Sequence, residues 1–327
     1  MEQSVSGILR KHYSRIGLAC FLLLAASFLS QFVLLFLAEL LIPAAVQKTW
    51  FLTALSFVSL YGVGFPFFLL LLPKAPEQLP EKQKLGGMGE FFACLIMCMG
   101  ILYPLNLLGT GLTGLLGRVL GTGGGNPLDT YLESIDLWTV TVFAVILAPI
   151  MEELCFRKLL LDRMRTIDRP GAILFSALAF GLTHGNLSQF FYAFGVGLLF
   201  GCIYTRTGRI RYTILLHILV NTMGSLVPMI LTRDLGDVDL AELASLWPIP
   251  ENLPALLALG AFELVVLCCT VAGVILLIRR FPRLLQRTPE DRLGGPLLAF
   301  RTQFLTGGFL AFLLASAAQM AVSILIT

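Results

Sequence analysis

Residues 137–161 read Leu-Trp-Thr-Val-Thr-Val-Phe-Ala-Val-Ile-Leu-Ala-Pro-Ile-Met-Glu-Glu-Leu-Cys-Phe-Arg-Lys-Leu-Leu-Leu. As a helix this run is about 37 Å long at 1.5 Å per residue, enough to cross a hydrocarbon core of about 30 Å. Glu152, Glu153 and Arg157 interrupt it, and ionisable residues at membrane depth are costly enough to count as functional candidates. The stretch reads as a transmembrane helix carrying a buried polar cluster.

The rest of the chain fits that reading. Of 327 residues, 57% are hydrophobic and 13% charged, with a mean hydropathy of +0.86. A soluble domain has about 25% charged residues, so this chain has about half the charge that a water-facing surface needs. A soluble fold, a disordered chain and a disulfide scaffold are excluded. The fold class is all-α, a polytopic membrane helix bundle. Spans fall near 16–42, 50–72, 90–108, 137–161, 171–184, 188–205, 212–231, 254–278 and 303–326. That is about nine, within a range of eight to ten set by the Gly-rich stretch 105–120. The fifth is short. The first apolar run is too long for a signal-peptide core.

Charge placement supports this map. Twenty of the 23 Lys and Arg fall on one side, in alternate loops or, for Arg157, still within its helix, and only Lys48, Arg118 and Arg233 on the other. By the positive-inside rule the N-terminus is inside. The net charge of +3 says little, because in a membrane protein the placement of Lys and Arg matters more than their sum; no nucleic-acid partner is expected. The seven cysteines lie in apolar runs without metal-knuckle spacing and read as small buried hydrophobes. Gly109-Thr-Gly-Leu-Thr-Gly114 has dinucleotide-fingerprint spacing, but no βαβ setting surrounds it, and it reads as the start of an outer loop. Gly197 and Gly201 read as a close helix contact. The chain divides into 1–134 (first helices and Gly-rich outer loop), 135–231 (a four-helix core) and 232–327 (an acidic outer loop and the last helices).

Three clusters carry the candidate chemistry: Glu152-Glu153-x-x-x-Arg157, Phe180-x-x-x-His184 with Gly185 and Asn186, and His217-x-x-x-Asn221. Glu153 and Arg157 are at i, i+4 and share a helix face. Glu152 is turned about 100° away and is free to face a cavity as a general base. His217 and Asn221 also share a face. Measured from the basic helix ends, His217 lies about 9 Å deep, Glu152 and Asn221 about 15 Å, and His184 about 20 Å. These depths suit one cavity, which is expected to open from the inner half of the bilayer. A base, two imidazoles and an amide are equipment for attack by water on an amide carbonyl.

In this order on successive membrane helices, the three motifs resemble the CPBP family of CAAX prenyl endopeptidases and bacteriocin-processing enzymes, also called the ABI family. The resemblance covers about 135–230. It implies an intramembrane glutamic endopeptidase without cofactor or bound metal, in which Glu152 and His184 activate water and His217 and Asn221 serve the oxyanion. Glu153 and Arg157 are the supporting pair. The implied partners are a membrane-associated peptide or protein substrate, prenylated or leader-type, and the lipid bilayer. The expected location is the cell membrane of a bacterium. Two other readings remain open from the residues: a zinc-dependent form using Glu and the two His as ligands, and a non-catalytic immunity factor, scaffold or transporter.

Overall fold

The computed structural model describes residues 2–77, 81–122, 124–233, 253–284 and 296–326, and every regular element among them is helical. Besides a single helical turn at Pro43–Val46, in chain order these are α1 (Glu2–Leu41), α2 (Thr49–Leu71), α3 (Met88–Leu120) and the short α4 (Pro127–Ser134). Then come α5 (Leu137–Arg163), α6 (Arg169–Leu182), α7 (Leu187–Thr207) and α8 (Ile210–Thr232). α9 (Leu253–Leu284), α10 (Pro296–Gln303) and α11 (Gly307–Ile326) complete the order. Eight of these are long and apolar enough to cross a membrane, and α6 is the shorter apolar helix among them. The protein is an integral multi-pass membrane helix bundle. The acidic stretch around Asp234, Asp237, Asp239 and Glu242 lies outside the described residues.

α7 sits at the centre. Of its apolar stretch 56% is buried, against 11% for the peripheral α9. It packs on α3 and α6, while α1 pairs with α11 and α9 with α3. Small residues permit these crossings. A Cβ at Gly197 would come within 3.1 Å of Ala177 Cα, and one at Gly201 within 3.0 Å of the Ile173 side chain. The spacing of these two glycines is thus used to bring α7 onto α6.

Two expectations need correction. The third span does not end near residue 108: α3 continues to Leu120 through Pro104 and the glycines. The Gly-rich stretch is helical because it is a packing surface. A Cβ at Gly109 would lie 2.5 Å from the Ser188 carbonyl oxygen, and one at Gly117 would overlap Gly124 Cα. The second correction concerns the cysteines, of which Cys268 is exposed and Cys269 half-buried on α9 while the other five are buried.

The start of α5 is set by Asp136. Its Oδ1 accepts from the Thr139 backbone N–H at 2.9 Å and its Oδ2 from the Thr139 hydroxyl at 2.7 Å. These bonds cap the helix and hold the Asp136 carboxyl below its usual range. Further along, α5 widens into π-helical turns at Val140–Leu147 and Glu153–Leu160, a departure often found at functional sites.

Candidate active site

The two adjacent glutamates of α5 meet opposite environments. Glu153 is fully buried, with Oε2 3.3 Å from Arg157 Nε and Oε1 3.1 Å from His217 Nδ1. Glu152 keeps a side-chain exposure of 20%, and its Oε2 lies 3.5 Å from His217 Nε2. The i, i+4 pairing drawn from the sequence is therefore present, and His217 bridges the two carboxylates. A carboxylate only accepts, so His217 Nδ1 carries the proton directed at Glu153.

Arg157 is fully buried between two aromatic faces. Its Cζ lies 4.4 Å from the Phe180 ring centroid and 5.5 Å from that of Phe200. Cation–π attraction at such desolvated sites reaches about 2 kcal/mol. Phe180 also meets His184 and His217 edge-on, with centroids 4.9 and 5.7 Å apart. The Phe of the second motif thus has a physical role, since one ring packs the arginine and both histidines into a fixed arrangement.

His184 follows the end of α6. Its Nδ1 lies 2.9 Å from the Phe180 carbonyl oxygen, which can only accept, so Nδ1 is the protonated nitrogen and Nε2 keeps its lone pair. The chain then turns through Gly185 at φ +67, a conformation that favours glycine. Asn186 caps α7 by accepting from the Gln189 backbone N–H at 2.8 Å, and its Nδ2 donates to the His184 carbonyl at 3.0 Å.

Asn221 projects from α8 toward α5, and its Nδ2 donates to the Ala144 carbonyl at 2.8 Å. That carbonyl is free for a reason written in the sequence. The Ala148 N–H bonds to Phe143 rather than Ala144, and the next residue, Pro149, has no N–H. Asn221 fills the vacancy and pins α8 to the widened turn of α5.

Glu152, His184, His217 and Asn221 all line one cavity of about 310 Å³, together with Phe180, Tyr103, Tyr192 and Gln189. The cavity therefore unites the four residues singled out as catalytic, while Glu153 and Arg157 are fully buried and do not line it. Its direction differs from the expectation. It runs from Glu152 to Asp129 and Tyr131 of α4 and to Gly224 and Ser225 of α8, the end of the bundle opposite the basic loops. The short α4 covers that end, which no span-length ruler reveals. Gln189, Tyr192 and Asn106 were not singled out by motif. Their signal was polarity in or beside an apolar span, the same signal that marked Glu152. Among the described residues, no group of three or more His, Cys, Asp and Glu is arranged to hold a metal ion.

Comparison with known proteins points to the same segment. Residues 134–223 match the family described as "Type II CAAX prenyl endopeptidase Rce1-like". A curated relative, "Putative membrane peptidase YdiL" of Bacillus subtilis (strain 168), is 32% identical over 82 residues. That similarity spans 25% of this chain and 34% of the relative, about a third of its length. No solved structure matches. Residues 134–223, which hold every motif residue of the cavity, are thus similar to that endopeptidase family.

Proposed function

We propose that the protein is an intramembrane endopeptidase that hydrolyses a peptide bond of a membrane-associated substrate by glutamate-activated water. The observation that carries this reading is the unequal treatment of two neighbouring carboxylates. Glu153 is sealed and neutralised, while Glu152 opens into a cavity beside two imidazoles. A structural ion pair needs one carboxylate; the second is available for chemistry.

Water held between Glu152 and the free Nε2 of His184 attacks the carbonyl carbon, and Glu152 takes its proton. The carbonyl oxygen becomes an oxyanion. When the intermediate collapses, the C–N bond breaks and the proton on Glu152 passes to the leaving amine. His217 orients Glu152, and the N–H of Asn221 not used by Ala144 serves the oxyanion. A cavity of this size holds a short peptide segment, and both prenylated and leader-peptide substrates fit the reading.

Purified protein in detergent, offered a peptide library with and without lipidated cysteine, tests it. Cleavage that survives a chelator and disappears in His184→Ala is expected. Cleavage lost on chelation would replace water activation by Glu152 with the zinc-dependent reading. No cleavage of any peptide would leave a binding or immunity role.

A further inference from the structure

One tyrosine in the cavity wall has its hydrogen-bonding direction dictated from the backbone. The chain of bonds begins at Asn186, whose two backbone neighbours are unambiguous. The atom facing the Gln189 backbone N–H at 2.8 Å must be its oxygen, and the atom facing the His184 carbonyl oxygen at 3.0 Å must be its nitrogen. The same nitrogen lies 2.6 Å from the Gln189 side-chain amide, so it meets the oxygen of that amide. Gln189 then has only its own nitrogen to offer on the other side, and that nitrogen lies 2.9 Å from the Tyr192 hydroxyl.

An amide nitrogen donates and never accepts. Tyr192 is therefore forced to accept from Gln189, and its own O–H proton must point elsewhere. Tyr192 lines the cavity with Glu152, His184 and Asn221. The relay Asn186–Gln189–Tyr192 thus holds a phenolic donor in the cavity wall whose proton is not spent on Gln189. Such a fixed donor costs little reorganisation when charge develops, the arrangement that makes oxyanion stabilisation effective.

We propose that the Tyr192 hydroxyl donates a hydrogen bond to the substrate carbonyl oxygen as it becomes an oxyanion, with Gln189 as the residue that sets the direction of that bond. The proposal rests on the hydrolytic reading above. The proton stays on Tyr192 throughout: the attacking water gives its proton to Glu152, and Glu152 passes it to the departing amine. Tyr192 on α7 and the remaining N–H of Asn221 on α8 would then form a two-donor site supplied by different helices.

Two variants test it on a fluorogenic peptide that the wild type cleaves. Tyr192→Phe keeps the ring and removes the donor; kcat is expected to fall about 10²–10³-fold with KM within about twofold, as for an interaction made only in the transition state. Gln189→Glu keeps the shape but leaves only acceptors, so Tyr192 turns its proton toward the new carboxylate and away from the cavity. Its kcat is expected to fall alongside that of Tyr192→Phe, while the melting temperature of both variants stays near that of the wild type. Wild-type kcat in Tyr192→Phe overturns the proposal, as does a loss confined to KM. Unchanged kcat in Gln189→Glu overturns the directional role. Should the wild type cleave no peptide, the hydrolase reading fails and the proposal falls with it; cleavage undiminished by Tyr192→Phe sinks the proposal alone.

Discussion

α5 carries two buried acid–base clusters, one in mid-span and one at its basic end, and they differ in one respect. At the basic end Asp162 is surrounded: Arg165 Nε lies 2.8 Å from its Oδ1, Lys158 Nζ 2.7 Å from its Oδ2, and the Tyr204 hydroxyl 3.1 Å from both oxygens. One carboxylate meets three donors, and both of its oxygens are engaged. In the middle of the span two carboxylates share one arginine and one histidine, and Glu152 faces the cavity. The first arrangement consumes its charge in holding helices together. The second leaves a carboxylate over, and in a membrane that surplus is tolerable only where a cavity relieves it. Burial of an acid–base pair therefore does not distinguish scaffold from site; the count of carboxylates against donors does.

The strongest way to break this comparison is to remove the surplus charge. Glu152→Gln is expected to lower kcat by about 10²–10⁴, the worth of general-base assistance, with an unchanged melting temperature because Arg157 retains Glu153. Wild-type turnover in the purified variant would return Glu152 to the scaffold.

The next test treats the two clusters alike. Glu153→Gln strands Arg157, and Asp162→Asn strands Arg165; removing one partner of a buried pair costs roughly 3–5 kcal/mol. Both variants should unfold at lower denaturant. Only Glu153→Gln should also reduce kcat per folded molecule, because it releases His217 and with it the orientation of Glu152. Equal kcat in the two variants would mean that His217 does not transmit the state of Glu153 to the cavity.

How far these clusters could be read from the sequence depended on whether their geometry was local. The i, i+4 relation of Glu153 to Arg157 follows from helix pitch alone, and so does the turning of Glu152 away from it. The bundle itself was legible because apolar runs and alternating Lys/Arg obey the bilayer. Three features were not local. The helical continuation through Gly109 depends on the Ser188 carbonyl lying against it. The direction of the cavity depends on where α4 rests. The bridging role of His217 requires α8 to lie against α5 at one register, and no spacing within either helix encodes that register. The Asn186–Gln189–Tyr192 relay is local, at i, i+3 and i, i+6, but its polarity appears only once the backbone groups around Asn186 are placed.

The smallest expected effect falls on Asn221, which belongs to both sides of the comparison. One of its N–H groups ties α8 to the Ala144 carbonyl, a scaffold role that exists because Pro149 lacks a donor. On the hydrolytic reading the other is available to the oxyanion, a role in the site. Asn221→Ala removes both at once, and the two losses register in different measurements. An orphaned buried carbonyl costs about 1–3 kcal/mol of stability, read from a denaturation curve. A lost oxyanion donor costs about 10²–10³ in kcat, or roughly 2.7–4 kcal/mol of barrier, with KM nearly unchanged. Both changes are expected. Lower stability with near-normal kcat would make Asn221 a tether alone and leave Tyr192 as the cavity's oxyanion donor. Normal stability with lower kcat would mean that the Ala144 carbonyl finds another donor, and that the widened turn of α5 does not depend on α8 to hold it.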